Sequence, residues 1–205
     1  PFAEREAERQ VFEILRREEQ SRSAGGITYG KDFGDPLWQA SYVSRNLSAN
    51  DLDEWRARLD VLDGGQNTFR GYMLSRWAPI AYPNNSWPTT NGFNGNNAVL
   101  STIAANRKEI RLTGLGGGYR LSRGDMLRIG ARNLHRVVTG GIASGGGVLD
   151  DIEIRPHLWA ESAGDDVVSV SKAFCRMTIV RGSLQTDADP ATGRGSIRFD
   201  ALEAR

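Results

Sequence analysis

The segment of residues 114–159 limits the possible folds more than any other part of the sequence. It contains three short runs in which apolar and polar residues alternate, separated by glycine-rich turns such as 116–118 and 145–147. Alternation with a period of two is typical of half-buried β-strands, and glycine clusters between such runs are typical of tight turns. The segment therefore predicts a β-meander.

Both glycine clusters resemble phosphate-binding loops at first sight, but the residues around them argue against that role. Neither cluster is followed by Lys-Ser or Lys-Thr, and neither begins a helix after a strand. A phosphate loop needs this arrangement because backbone N–H groups at the start of a helix hold the phosphate. We therefore interpret both clusters as turns and predict no cofactor.

Alternating runs continue along the rest of the chain. A strand is predicted at 37–44, where Trp38, Ala40 and Tyr42 occupy alternate positions, and another is predicted at 68–74. The remaining predicted strands are 109–112, 125–129, 135–138, 148–154, 167–171, 174–180 and 195–202, with an exposed hairpin tip at 187–195. Roughly seven to nine strands and one short central helix favour a mainly β fold, either a β-sandwich or an open barrel.

The central helix is predicted to begin after Ser48. The Ser48 hydroxyl can accept a hydrogen bond from the backbone N–H of Asp51, which is a common way to cap a helix N-terminus. The apolar stripe of this helix consists of Leu52, Trp55, Leu59 and Leu62. Gly64 and Gly65 end it, since glycine readily adopts the left-handed conformation found after a helix.

A second helix is predicted at the N-terminus, over residues 2–22. This segment has no Gly or Pro and is rich in Glu, Arg and Ala, which are strong helix formers. Its apolar stripe consists of Phe2, Ala7, Val11, Ile14 and Leu15. Either it packs on its own core as a surface helix, or it docks on a neighbouring subunit as an arm. The predicted domains are this arm at 1–26 and a β-sandwich domain at 27–205.

A long irregular loop is predicted at 79–97. It and its approach carry four aromatic residues, Trp77, Tyr82, Trp87 and Phe93. A loop of this length in a compact domain is usually functional or contacts another subunit. Three interpretations remain open: a protein interface, a platform that stacks on sugars, or aromatic side chains that fix the loop to its own core.

No combination of residues predicts a catalytic or metal site. The two histidines, His135 and His157, have no nucleophile or second histidine at a recognised spacing. Asp150 and Asp151 are adjacent on a predicted strand, so their side chains are expected to point to opposite faces. A hydrolase that uses carboxylates from distant parts of the chain stays open as an alternative. The single cysteine, Cys175, is expected to be a buried thiol.

Charge and hydropathy exclude several classes of partner. The chain has 26 Lys and Arg against 25 Asp and Glu, so its net charge of +1 gives no general affinity for nucleic acid. No apolar stretch is long enough to span a bilayer, and no signal peptide is evident. We therefore expect a soluble protein without a membrane anchor.

The order of these elements resembles one protein family. The resemblance depends on five segments: LWQASY (37–42), LSANDLDEWRARLDVLDGGQNTF (47–69), the Tyr82-Pro83 loop, LSRGDMLRIG (121–130) and LHRVVTGGIASGGGVLDDIEIRPHLW (134–159). The turn Gly124-Asp125, the run 134–137 and the exit 154–156 match best. Over residues 28–202 the chain is similar to the distal tail protein of tailed bacteriophages and related prophages.

The resemblance implies a structural protein of the virion, at the tail tip of a siphovirus, made in the host cytoplasm and without enzymatic activity. It implies a β-sandwich core and a closed ring, usually hexameric, that joins the tail tube protein to the hub or baseplate protein. The tape measure protein is a further expected partner. The residues expected at subunit contacts are Phe2, Val11, Leu15, Trp77, Tyr82, Trp87 and Phe93. The alternative function is a carbohydrate-binding β-sandwich module for host attachment.

Overall fold

A computed structural model describes residues 6–205, with Asp32 described by its backbone alone. The chain folds as two compact units. The sheet unit contains the chain up to Gly71 and from Arg176 onward, and the barrel unit contains Tyr72–Cys175. Strands dominate both units, and the described residues contain one α-helix. The prediction of a mainly β fold with one helix is therefore confirmed.

The sheet unit is built on a six-stranded sheet. Its strands, in spatial order, are β1 (Ala7–Leu15), β4 (Leu37–Ser44), β16 (Gly195–Glu203), β14 (Cys175–Ile179) and β5 (Phe69–Gly71), and β15 (Gln185–Ala188) also pairs with β16. Strand β4 alternates strictly between half-buried and buried residues, as its sequence predicts. On the buried side, the Tyr42 ring stacks on Phe199 with 5.0 Å between centroids. These aromatic contacts form the core of the sheet unit.

The prediction of an N-terminal helix is wrong for the described residues. Residues 7–15 form the edge strand β1, which pairs antiparallel with β4. Pairing places Phe12 opposite Ala40, and the Phe12 ring stacks on Trp38 with 5.2 Å between centroids. Helix propensity differs by only about 0.7 kcal/mol per residue among ordinary residues. Burial of the Phe12 ring and the ladder hydrogen bonds to β4 outweigh that preference. Phe2 lies outside the described residues.

The predicted central helix is confirmed as α1 (Ala49–Asp60). The backbone N–H of Asp51 donates to the Ser48 hydroxyl at 3.3 Å, as expected for the cap. Leu52, Trp55 and Leu59 are buried. Gly64 has a φ of 63°, the left-handed conformation that glycine adopts after a helix.

The barrel unit is a closed six-stranded antiparallel barrel. Its strands, in order around the barrel, are β10 (Asn133–Thr139), β12 (Leu149–Arg155), β7 (Glu109–Thr113), β6 (Ala98–Ile103), β13 (Val167–Ser169) and β9 (Met126–Ile129). The same unit contains a separate two-stranded sheet, in which β8 (Arg120–Leu121) pairs antiparallel with β11 (Gly141–Ile142). Because the barrel is closed rather than open, none of its six strands has a free edge.

The segment 114–159 forms the meander that its sequence predicts, since β9 pairs with β10 and β10 pairs with β12. Its glycines allow backbone segments to approach closely. A Cβ atom on Gly147, whose φ is +76°, would lie 2.1 Å from the carbonyl oxygen of Leu115. A Cβ atom on Gly116 would lie 2.0 Å from the carbonyl oxygen of Pro88. These positions require glycine for packing, which gives the clusters a structural explanation.

Candidate assembly interface

A two-stranded hairpin projects from the sheet unit. It consists of β2 (Glu18–Arg22) and β3 (Thr28–Asp32), which pair antiparallel. Its ladder extends at both ends: the N–H of Phe33 donates to the carbonyl of Arg17 at 2.7 Å, and the N–H of Ser23 donates to the carbonyl of Ile27 at 2.9 Å. Six steps of about 3.3 Å give the projecting hairpin a length of about 20 Å.

The hairpin is formed by the chain segments that follow β1 and lead into β4. Leu15 pairs with Leu37 at the end of the β1–β4 ladder, and Arg17 bonds Phe33 at the start of the hairpin. Two strands therefore leave the sheet together, and only a short irregular stretch separates the two ladders. Every residue of β2 is exposed.

The two faces of the projecting hairpin differ in polarity. Side chains alternate across a strand, so positions 27, 29, 31 and 33 share one face. On this face Ile27 and Tyr29 are each 58% exposed and Phe33 is 53% exposed. The opposite face carries polar residues such as Glu18 and Gln20. An isolated two-stranded hairpin is at best marginally stable in water, so its apolar face is a surface suited to a partner.

The outer face of the six-stranded sheet is a second candidate surface. It is formed by the side chains of β1, β4 and β16 that alternate with the buried ones, and pairing places Val11 beside Ser41 and Ser41 beside Asp200. Two grooves of about 470 Å³ and about 260 Å³ lie on this face, and Val11 and Ser41 line both. Leu15 and Leu202 make the larger groove mainly apolar.

One end of the outer face carries two arginines. Arg9 of β1 and Arg198 of β16 both pair with Val43 of the strand between them. Two strand spacings of about 4.8 Å place their Cα atoms about 10 Å apart on one side of the sheet. Within residues 6–205, no ion pair is found for either guanidinium group. The outer face therefore offers a cationic end next to an apolar groove, and Glu13, which pairs with Gln39, is an exposed carboxylate on the same face.

The aromatic residues predicted for the 79–97 loop pack on the barrel core. Phe93 is 1% exposed and makes an edge contact with Tyr119 at 5.2 Å. The ring centroids of Tyr82 and Tyr119 are 5.0 Å apart, and those of Trp87 and Phe93 are 6.1 Å apart. Trp77 is half-buried, with the Lys172 ammonium group 5.3 Å from its ring centre. Of the three interpretations of the loop, these contacts favour attachment to the core of the barrel unit.

A buried carboxylate also anchors this loop. Asp125 is 1% exposed, and it accepts one hydrogen bond from the N–H of Ile80 and one from the N–H of Ser122, both at 2.7 Å. Burial raises the pKa of Asp125, and the two hydrogen bonds and the charge of Arg76 oppose that rise. The sequence motif Gly124-Asp125 therefore has a structural role that the sequence alone did not reveal.

The side chains considered for catalysis or metal binding include two that the structure buries, His135 and Cys175. His135 is fully buried, and its Nδ1 atom lies 2.9 Å from the carbonyl oxygen of Pro156. Cys175 is buried, as expected. Among the described residues, no group of three or more His, Cys, Asp or Glu side chains is arranged to hold a metal ion.

Asp150 and Asp151 differ from expectation, since both are exposed instead of pointing to opposite faces. Leu149 pairs with Leu112 and Ile152 pairs with Ile110, so β12 contains one extra residue in this stretch. Asp151 takes up the extra length with a φ of 54°. Asp150 forms an ion pair with Arg111 at 3.0 Å on the exterior of the barrel unit.

Comparison with known proteins gives no family assignment. No protein-family model matches the chain. No curated protein matches it either. In the part of the chain that the structure describes, no helix has the length and apolar character needed to cross a membrane.

Proposed function

We propose that this protein is a structural subunit of a phage tail tip, and that it assembles into a ring between the tail tube and the hub or baseplate. The observation that carries the proposal is the projecting hairpin with an apolar face. A ring needs a surface on each subunit that is unsatisfied in the monomer, and the exposed side chains of Ile27, Tyr29 and Phe33 supply one.

The edge strand β1 adds to this support. It spans nine residues, and among the strands of the described residues only β4 pairs with it. An unpaired edge is a template for a strand of another chain. The proposed ring is hexameric, and its partners are the tail tube protein, the hub or baseplate protein and the tape measure protein. The resemblance of residues 28–202 to distal tail proteins is the basis for these partners.

Light scattering coupled to size-exclusion chromatography tests the proposal. We expect the purified full chain to form a ring-sized oligomer, and negative-stain images to show closed rings. Binding to the cognate tail tube protein is the second expected result. A monodisperse monomer at high concentration that does not bind the tube protein would overturn the proposal.

The alternative, a carbohydrate-binding module, has weaker support. A sugar platform needs exposed aromatic faces, whereas Phe93 is buried and the Tyr82 ring packs on Tyr119. Trp87 is half-buried and is the residue to test. Loss of glycan binding in Trp87→Ala, with self-assembly intact, would favour the alternative.

A further inference from the structure

We propose that the apolar face of the projecting hairpin of one copy docks on the outer face of the six-stranded sheet of a second copy, with Glu19 facing Arg9 and Arg198. This inference rests on the proposed ring function and identifies its contact surfaces. It commits to a second copy of this chain as the partner.

Both surfaces combine apolar side chains with charges of both signs, and Glu19 of the hairpin is opposite in charge to Arg9 and Arg198 of the outer face. On the hairpin, Glu19 pairs with Lys31, and both share a face with Tyr29. On the outer face, Arg9 and Arg198 flank Val43, and Asp200 is two residues further along β16. A carboxylate placed between two guanidinium groups is electrostatically favourable, whereas the Lys31 ammonium group lies 5.3 Å from the Phe33 ring centre of its own hairpin.

The spacing along the two surfaces is also compatible. Tyr29 pairs with Ser21, and Ser21 is two residues nearer the hairpin tip than Glu19. The Tyr29 pair is therefore about 7 Å further along the hairpin than the Glu19 pair. From the level of Arg9, the level of Val11 is the same distance along β1 toward the larger groove. With Glu19 at the cationic end, Tyr29 therefore reaches the groove beside Val11, and Ile27 extends further into its apolar part.

The hairpin cannot supply this contact to its own sheet. Its ladder follows the β1–β4 ladder after a break of one residue on one strand and three on the other, and every residue of β2 is exposed. The 58% exposure of Tyr29 agrees with an apolar face that its own chain leaves uncovered. The contact therefore joins two different surfaces of neighbouring copies, which is the type of contact that generates closed rings.

Charge reversal tests the pairing. Glu19→Arg places like charges together, and we expect it to weaken self-association at least about tenfold in sedimentation equilibrium. The double variant Arg9→Glu/Arg198→Glu should weaken it similarly. Combining all three changes should restore association to within about threefold of the original chain.

Glu18→Arg is the matched control, because Glu18 is the neighbouring residue on the opposite face of the hairpin. It makes the same charge change and should leave association unchanged. Equal weakening by Glu18→Arg and Glu19→Arg, or failure of the triple variant to recover, would overturn the pairing while the ring function stands. A monomeric original chain would overturn both.

Cross-linking gives an independent measurement. Ser41 lies on the outer face between Val11 and Asp200, and Tyr29 lies on the apolar face of the hairpin. Mixing Tyr29→Cys and Ser41→Cys chains under mild oxidation should give a disulfide-linked dimer, whereas each alone should not. The native Cys175 is buried and does not interfere. If an assembled ring forms no such dimer, the proposed docking is wrong.

Discussion

The barrel unit and the sheet unit differ in how completely their strands and apolar side chains are paired and buried. The barrel closes on itself, and its core includes residues from all six strands, such as Leu100, Ile110 and Val168. Within residues 6–205, the sheet unit has β1 at the edge of its sheet, a half-apolar outer face and a hairpin with exposed apolar side chains. The barrel unit therefore has a closed ladder around its core, whereas the described part of the sheet unit leaves apolar side chains of the hairpin exposed.

The largest expected effect tests the self-contained core of the barrel unit. Phe93→Ala removes a buried ring and should lower the free energy of unfolding by about 3–5 kcal/mol, since it leaves a cavity. Urea denaturation measures the change. Ile142→Ala, at a residue 65% exposed, is the control and should change it by less than about 0.5 kcal/mol. If Phe93→Ala weakened self-association and left stability unchanged, Phe93 would be an interface residue.

The second prediction tests the unsatisfied surface of the sheet unit. Tyr29→Ala/Phe33→Ala should weaken self-association about thirtyfold or more, because the two aromatic side chains together are expected to contribute about 2 kcal/mol or more to the interface. The free energy of unfolding of the monomer should stay the same within about 0.5 kcal/mol, since both side chains are exposed. Gln20→Ala/Thr28→Ala, on the polar face, should change neither quantity. A loss of monomer stability would show that the hairpin packs on its own chain.

The third prediction concerns pH and the anchor of the 79–97 loop. Burial raises the pKa of Asp125 above its value in the unfolded chain, so the folded state binds more protons between the two values. Asp125 therefore contributes to the free energy of unfolding below about pH 4, and this contribution is lost as the pH rises through the pKa of Asp125 in the folded state. Asp125→Asn removes this slope and also costs about 1–3 kcal/mol at neutral pH, since an amide cannot accept both hydrogen bonds. Urea denaturation at a series of pH values checks both; equal slopes would contradict the assignment.

The smallest effect is expected in the sheet unit at the start of α1. Ser48→Ala removes the cap that accepts from the N–H of Asp51 and should cost about 1 kcal/mol. Thermal unfolding measures the loss, and Asn50→Ala, an exposed helix position without a role in the cap, is the control. Equal effects of the two variants would mean that the hydrogen bond contributes nothing.

The sequence predicted the barrel strands well and the sheet unit less well. The strands near 126–129 and 149–155 are short apolar-rich runs that follow the glycine-containing turns at Gly124 and 145–147. By contrast, residues 7–22 consist mostly of helix-forming side chains, and β2 has no buried position that could produce alternation. Strand β6 was not predicted because its apolar residues follow directly on a loop rich in Asn and Gly.

Val11 and Leu15 were predicted to share one face, and they do so although the predicted helix is a strand. Val11 and Leu15 are four positions apart, and that spacing puts two side chains on one face of a helix and on one face of a strand. Both line the larger groove of the outer face, although the helix itself was wrong. Their role in subunit contacts stays a prediction.

The insertion of the barrel unit between β5 and β14 also sets an order of synthesis. Strand β4 is made early, but its neighbour β16 is the last strand of the chain. At about 5–20 residues per second, the ribosome needs on the order of ten seconds or more to deliver it. During that interval the β1–β4 hairpin has two open edges, while the barrel unit can already close. Nascent chains are therefore most vulnerable to mispairing in the sheet unit, before the C-terminal strand arrives.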